Sequence, residues 1–244
     1  MKVVATYSIK GGVGKTSAAV NMGALAARDG LRALIWDLDP QGAASFLLRI
    51  EPKVKGGSKQ LIRGKREPLD VMKGTDIEGL DLLPADFSYR HLDIQLDQRK
   101  KPLQGLARVL AQLDGAYDLA ILDCAPSISL VSESVFSAAD LLLVPLIPST
   151  LSVRTFEQLR AFLAAGPQPA PEILAFFSMV DRRKNLHKEL TATLPGVAGT
   201  AIPSASVVEQ MGVRRAPLVT TRPRDPAALA YAALWDELRA ALRL

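Results

Sequence analysis

A doubly wound α/β fold, with a mostly parallel sheet and helices on both faces, is predicted by three features of the sequence. Short apolar runs alternate with longer helical patterns. The runs are nearly continuous in apolar residues, as in strands covered on both sides. The first run passes through a glycine-rich loop directly into a helical pattern, the arrangement of a ligand-binding βα turn.

The elements follow in order. Residues 3–8 read as a strand and 16–29 as a helix stopped by Gly30. Strands are expected at 33–36 (running into Asp37), 80–83, 119–122 (ending at Asp123), 141–145 and 173–179. Helices are expected at 103–113, 132–139, 152–165 and 226–244. In the last, Asp225 suits the cap and Pro226 the first turn, and Tyr231, Leu234, Trp235, Leu238 and Leu242 form an apolar stripe. Residues 166–171 read as a turn-rich connector. Residues 49–66, with seven Lys or Arg and the single acid Glu51, read as a solvated, mobile loop. At 244 residues, one domain spanning 1–244 is expected. Its core rests on Leu, Val, Ile and Ala, because aromatics make up only 5%.

Composition excludes several classes. No apolar run approaches the roughly 20 residues of a membrane span, and no cleavable leader pattern opens the chain, so a cytoplasmic location is expected. The single cysteine, Cys124, rules out an intrachain disulfide framework and a cysteine zinc site, and is read as a buried small residue. His91 and His187 lie in polar stretches and read as surface residues. A net charge of +5 makes an anionic partner plausible.

Residues 8–17 read Ser-Ile-Lys-Gly-Gly-Val-Gly-Lys-Thr-Ser. Phosphate oxygens need several backbone N–H groups converging on one small space. Gly11, Gly12 and Gly14 let the backbone curl without Cβ clashes, and Val13 and Ser17 complete the loop. The helix that follows adds its positive end. Lys15 is placed to bring charge to the β and γ phosphates, and the Thr16 hydroxyl to bind Mg²⁺. The ordinary pattern G-x-x-x-x-G-K-[ST] fails at its first position, which is Ile9; instead Lys10 precedes a double glycine. Two strand-end acids accompany the loop: Asp37-Leu38-Asp39-Pro40-Gln41-Gly42, and Asp123 after the apolar run 119–122.

The loop K-G-G-V-G-K-T, together with D-L-D-P-Q-G and the Asp123 segment, resembles the ParA/MinD family of deviant P-loop ATPases. The likeness is greatest to ParA/Soj partitioning ATPases without a helix-turn-helix extension, since the loop starts at residue 8. The resemblance implies ATP and Mg²⁺ as cofactors, with Lys10, Lys15 and Asp39 serving hydrolysis. Lys10 would reach across a dimer to the partner's nucleotide, Asp39 would position the attacking water, and Thr16, Asp39 and Asp123 would serve the metal. Asp37 would be a supporting carboxylate. Pro203, in Ala201-Ile202-Pro203-Ser204, would border the adenine. Ser178 stands where many relatives carry a base-reading Asn, so base recognition is expected from the backbone. The family further implies a homodimer in the ATP state, non-specific DNA binding, a ParB-like or cargo-adaptor activator, and a nucleoid-associated location. Candidate DNA contacts are Arg182, Arg183, Lys184, Arg214, Arg215, Arg222 and Arg224. The alternative is a MinD-like membrane-associated ATPase, which needs a basic amphipathic C-terminal helix free to lie on lipid. The mixed charges of residues 235–244 do not favour it. One cysteine excludes an iron–sulfur reductase, and the presence of Lys15, Asp39 and Asp123 argues against a non-hydrolysing scaffold.

Overall fold

The computed structural model of the chain describes residues 1–166 and 169–244. Its strands are β1 (Lys2–Thr6), β2 (Ala33–Asp37), β3 (Lys73–Gly74), β4 (Leu80–Leu83), β5 (Leu119–Asp123), β6 (Leu141–Leu146), β7 (Glu172–Val180) and β8 (Val197–Pro203). Its helices are α1 (Lys15–Arg28), α2 (Ala43–Leu47), α3 (Gly57–Ile62), α4 (Leu92–Asp97), α5 (Gly105–Ala111), α6 (Leu130–Ala138), α7 (Thr150–Ala165), α8 (Asn185–Thr193), α9 (Ser206–Arg214), α10 (Leu218–Thr221) and α11 (Pro226–Leu242). The strands form one sheet in the order β3-β4-β2-β5-β1-β6-β7-β8, parallel except for the β3–β4 pair. The doubly wound prediction holds.

Strand alternation sends successive side chains to opposite faces and so builds two cores. Ala5, Tyr7, Leu34, Trp36, Ala120 and Leu122 point into one, under helices that include α5, α6 and α7. Val4, Ala33, Ile35, Leu119 and Ile121 point into the other, under α1, α2, α9, α10 and α11. Gly23 in α1 is there for close packing, since a Cβ would lie 2.8 Å from Ile35 Cδ1. The stripe on α11 is buried as read, and the Asp225 carboxylate accepts from the Ala227 N–H at 2.9 Å. Trp235 Nε1 ties the helix to Asp29 at 2.8 Å.

Several expectations are corrected. Residues 49–66 are not a solvated loop: they contain α3, with Val54, Ser58, Leu61 and Ile62 buried. The lysines face solvent and mask an apolar face at helical spacing. The expected helix at 103–113 is a short 3₁₀ turn followed by α5. Two strands went unread, the edge strands β3 and β8: β3 is two exposed residues, and β8 is a half-buried run of mostly small residues interrupted by Gly199 and Thr200. His187 is buried on α8, because its Nδ1 accepts the Asp181 N–H at 3.0 Å; His91 is exposed as expected. The connector 166–171 is described only at its ends, with 167 and 168 outside the described residues.

Candidate nucleotide site

β1 lies at the centre of the sheet, between β5 and β6, and chain order reverses there: β1 leads away through α1 to β2, and β5 leads back through α6 to β6. In open α/β sheets the crevice at such a switch point, beyond the strand C-termini, takes the ligand. The Lys10–Ser17 loop occupies it. Gly12 and Gly14 have φ of 70° and 97°, conformations that favour glycine. Gly14 is also pressed against the far side of the site, where a Cβ would lie 2.9 Å from Ser178 Oγ. α1 then opens without a side-chain cap, leaving its first-turn N–H groups for an anion.

The two lysines differ sharply. Lys15 is 7% exposed and curls back so that Nζ donates to the Lys10 carbonyl at 3.4 Å. Burial lowers its pKa below 10.5, with Asp123, Cys124 and Asp39 opposing the shift. A buried ammonium with so thin a set of acceptors is poised for an anion. Lys10 is half-buried, and among the described residues its ammonium has no ion-pair partner.

Asp37 and Asp123 end β2 and β5 as register partners, both fully buried. Asp37 is structural: it accepts from Ser45 N and Ser45 Oγ, each at 2.8 Å, which anchors α2. Asp123 Oδ1 accepts from Thr6 Oγ1 at 3.2 Å, whereas its Oδ2 is buried with no hydrogen-bond partner. The Thr16 hydroxyl is near enough to favour the ionised carboxylate but does not satisfy that oxygen. An orphaned carboxylate oxygen beside Thr16 and the phosphate loop fits Mg²⁺, which keeps most of its waters and takes few protein ligands. Consistently, the described residues hold no cluster of three His, Cys, Asp or Glu suited to a tighter metal. Asp39 is half-buried; its Oδ1 accepts from Gln41 N at 2.9 Å and its carbonyl from Gly42 N. Burial pushes the Cys124 thiol pKa up, so it is no nucleophile.

Across the crevice a cavity of about 70 Å³ is lined by Gly14, Ser178, Met179, Pro203, Val208 and Tyr231, among others. Met179 holds a left-handed φ of 57°, a strained setting that re-aims the end of β7. Pro203 and Ser178 both line this cavity. Sequence reasoning missed Thr6, Ser45 and Val208. Thr6 was findable as a polar residue in an apolar strand; the other two carry no mark without the fold.

The basic candidates separate into two kinds. Arg215 is half-buried and its Nε donates to the Phe46 carbonyl at 3.0 Å, whereas Arg183 is exposed although it pairs with Asp181 at 2.9 Å. Arg182, Lys184, Arg214, Arg222 and Arg224 are exposed.

A glycine-curled loop at the switch point, a buried lysine within it and an unsatisfied strand-end carboxylate beside it define a P-loop nucleotide-binding protein. A family model described as an AAA domain matches residues 1–166. The chromosome partitioning protein ParA of Caulobacter vibrioides is 30% identical over 228 residues, covering 89% of this chain and 84% of its own. The crystal structure of cobyrinic acid a,c-diamide synthase from Mycobacterium smegmatis with bound ADP and magnesium aligns with a TM-score of 0.82 at 28% identity, over 99% of this chain and 95% of that one. MinD of Pyrococcus horikoshii, complexed with Mg-ADP, shares the fold at a TM-score of 0.80 and 20% identity, over 97% and 95% of the two chains. The chain belongs to the ParA/MinD family of P-loop ATPases.

Proposed function

We propose that this protein binds Mg-ATP, dimerises on doing so, holds DNA without regard to sequence, and uses hydrolysis to release and thereby position a cargo. The observation that carries the reading is the division of labour between Lys15, buried within its own loop, and Lys10 beside it, whose ammonium has no ion-pair partner among the described residues. One lysine suffices for the phosphates of its own subunit; a second free ammonium at the loop suits a nucleotide presented by a second copy. Thr16 and Asp123 would hold the magnesium shell, which neutralises phosphate charge when bound, and Asp39 would orient the attacking water. The exposed Arg182, Arg183, Lys184, Arg214, Arg222 and Arg224 would meet DNA phosphates, giving salt-sensitive binding. Turnover would be slow until a ParB-like or adaptor protein engages the dimer. The expected setting is the cytoplasm, on the nucleoid.

The membrane alternative is disfavoured by α11. Its apolar face, including Tyr231, Leu234, Trp235 and Leu238, is buried against the domain rather than turned to solvent. No helix among the described residues is long and apolar enough to cross a membrane.

Sedimentation of wild type and Lys10→Ala with Mg-ATP tests the reading. Wild type is expected to dimerise with ATP and not ADP, and Lys10→Ala to stay monomeric while still binding nucleotide. Equal dimer yield in the variant would confine Lys10 to its own subunit.

A further inference from the structure

α2 and α9 end on each other. α2 is a single turn that finishes at Phe46 and Leu47, and Arg49 follows at a left-handed φ of 61°. α9 finishes at Arg214, and Arg215 follows at a left-handed φ of 49°. Helix C-termini leave carbonyls without intrahelical donors. Here each helix borrows a guanidinium from the other. Arg215 Nε donates to the Phe46 carbonyl at 3.0 Å, and its Cζ lies 4.6 Å from the Phe46 ring centre. Arg49 Nε donates to the Arg215 carbonyl at 3.1 Å and its Nη2 to the Arg214 carbonyl at 3.2 Å; its Nη1 lies 3.4 Å from Asp76. Two non-glycine residues in a disfavoured conformation, each capping the other's helix, form a clasp that is formed or broken as a unit.

The near ends of the same helices reach opposite sides of the crevice. α2 follows Asp39–Gly42 directly and is pinned to Asp37 through Ser45. α9 opens just after Pro203–Ala205, and its Val208 and Glu209 line the base-side cavity. A one-turn helix has little stiffness of its own, so its position, and with it that of Asp39, depends on what holds its far end as well as on the Ser45–Asp37 anchor.

We infer that Arg49 and Arg215 are positioning residues: their reciprocal clasp holds α2 against α9 and so sets Asp39 to orient the water that attacks the terminal phosphate. The inference rests on the ATPase reading above. Arg49→Ala and Arg215→Ala are each expected to lower kcat about tenfold per folded molecule, with ATP affinity changed less than about twofold, because sub-ångström misplacement costs turnover before binding. The double variant is expected to match the worse single one, since either change opens the whole clasp. Arg215→Lys, which keeps the charge and the stem over Phe46, is expected to retain part of the rate and serves if an alanine variant folds poorly. Circular dichroism and nucleotide titration give the folded fraction. Unchanged kcat in the single variants, or a double-variant loss equal to the product of the single losses, would overturn the clasp. A wild-type protein without Lys15-dependent ATP hydrolysis would instead sink the ATPase reading itself.

Discussion

On the phosphate side of the crevice, Lys15, Asp37 and Asp123 are buried ionisable groups clustered at two strand ends and one helix start. On the opposite side, proposed to face the base, Ser178, Met179 and Pro203 offer a hydroxyl, a strained backbone and a ring, and the acid in the cavity lining, Glu209, is exposed. The first side is held by dense electrostatics; the second is shaped by backbone course. A charged site admits few residue types at each position, because desolvating a charge is costly unless its partners are in place. A backbone-shaped site tolerates many.

The largest effect that can break this contrast is Lys15→Ala. Removing the buried ammonium should cost about 3 kcal/mol or more of phosphate binding, over a hundredfold in Kd. Calorimetry with Mg-ATP should then detect no uptake by folded protein. Near-native affinity would place the binding energy on the base side instead. Asp39→Ala comes next. Nucleotide binding and ATP-driven dimerisation should persist while turnover falls about a hundredfold or more, the range of a lost water-positioning group. A monomeric Asp39→Ala protein in saturating ATP would mean that this carboxylate builds the interface rather than the chemistry.

The same contrast explains what could be read before folding. Lys10–Ser17 was legible because a curled anion-binding backbone demands glycine at fixed spacing, and Gly12 and Gly14 do take left-handed φ. Asp37 and Asp123 were legible because acids closing apolar runs are conspicuous. α3 was not, since Lys55, Lys59, Arg63 and Lys65 outnumber the buried Leu61 and Ile62 around it. β8 was not, since an edge strand buries little: only Ile202 of its seven residues is fully buried. His187 misled because a backbone N–H satisfies it, and no side chain in sequence announces that partner. Nor does anything in the sequence mark Met179 as left-handed.

Gly14→Ala tests where the two sides touch. The new Cβ meets both a φ of 97° and Ser178 Oγ at 2.9 Å. The strain should cost about 1–3 kcal/mol, a drop of several degrees in Tm. Ser178→Gly in that background should return only the contact share, leaving the backbone share. Full recovery would mean that the sides meet through the side chain alone.

The smallest effect concerns the buried carboxylates. Burial raises the pKa of Asp37 and of Asp123 above the ordinary 3.8, with Asp39 adding to the rise at the first and Asp37 at the second. A raised carboxyl pKa means that, above 3.8, the native state holds protons the unfolded chain has released. The stabilisation is therefore present at low pH and declines as pH climbs through the raised value. Asp123→Asn cannot ionise, so without nucleotide its Tm advantage over wild type should grow with pH above about 4, reaching a few degrees for about 1 kcal/mol. Mg-ATP should narrow that gap, because a cation at the unsatisfied Oδ2 favours the ionised form. If the two melting curves instead run parallel at every pH, Asp123 carries its charge without penalty, and the phosphate side owes its form to backbone course as much as the base side does.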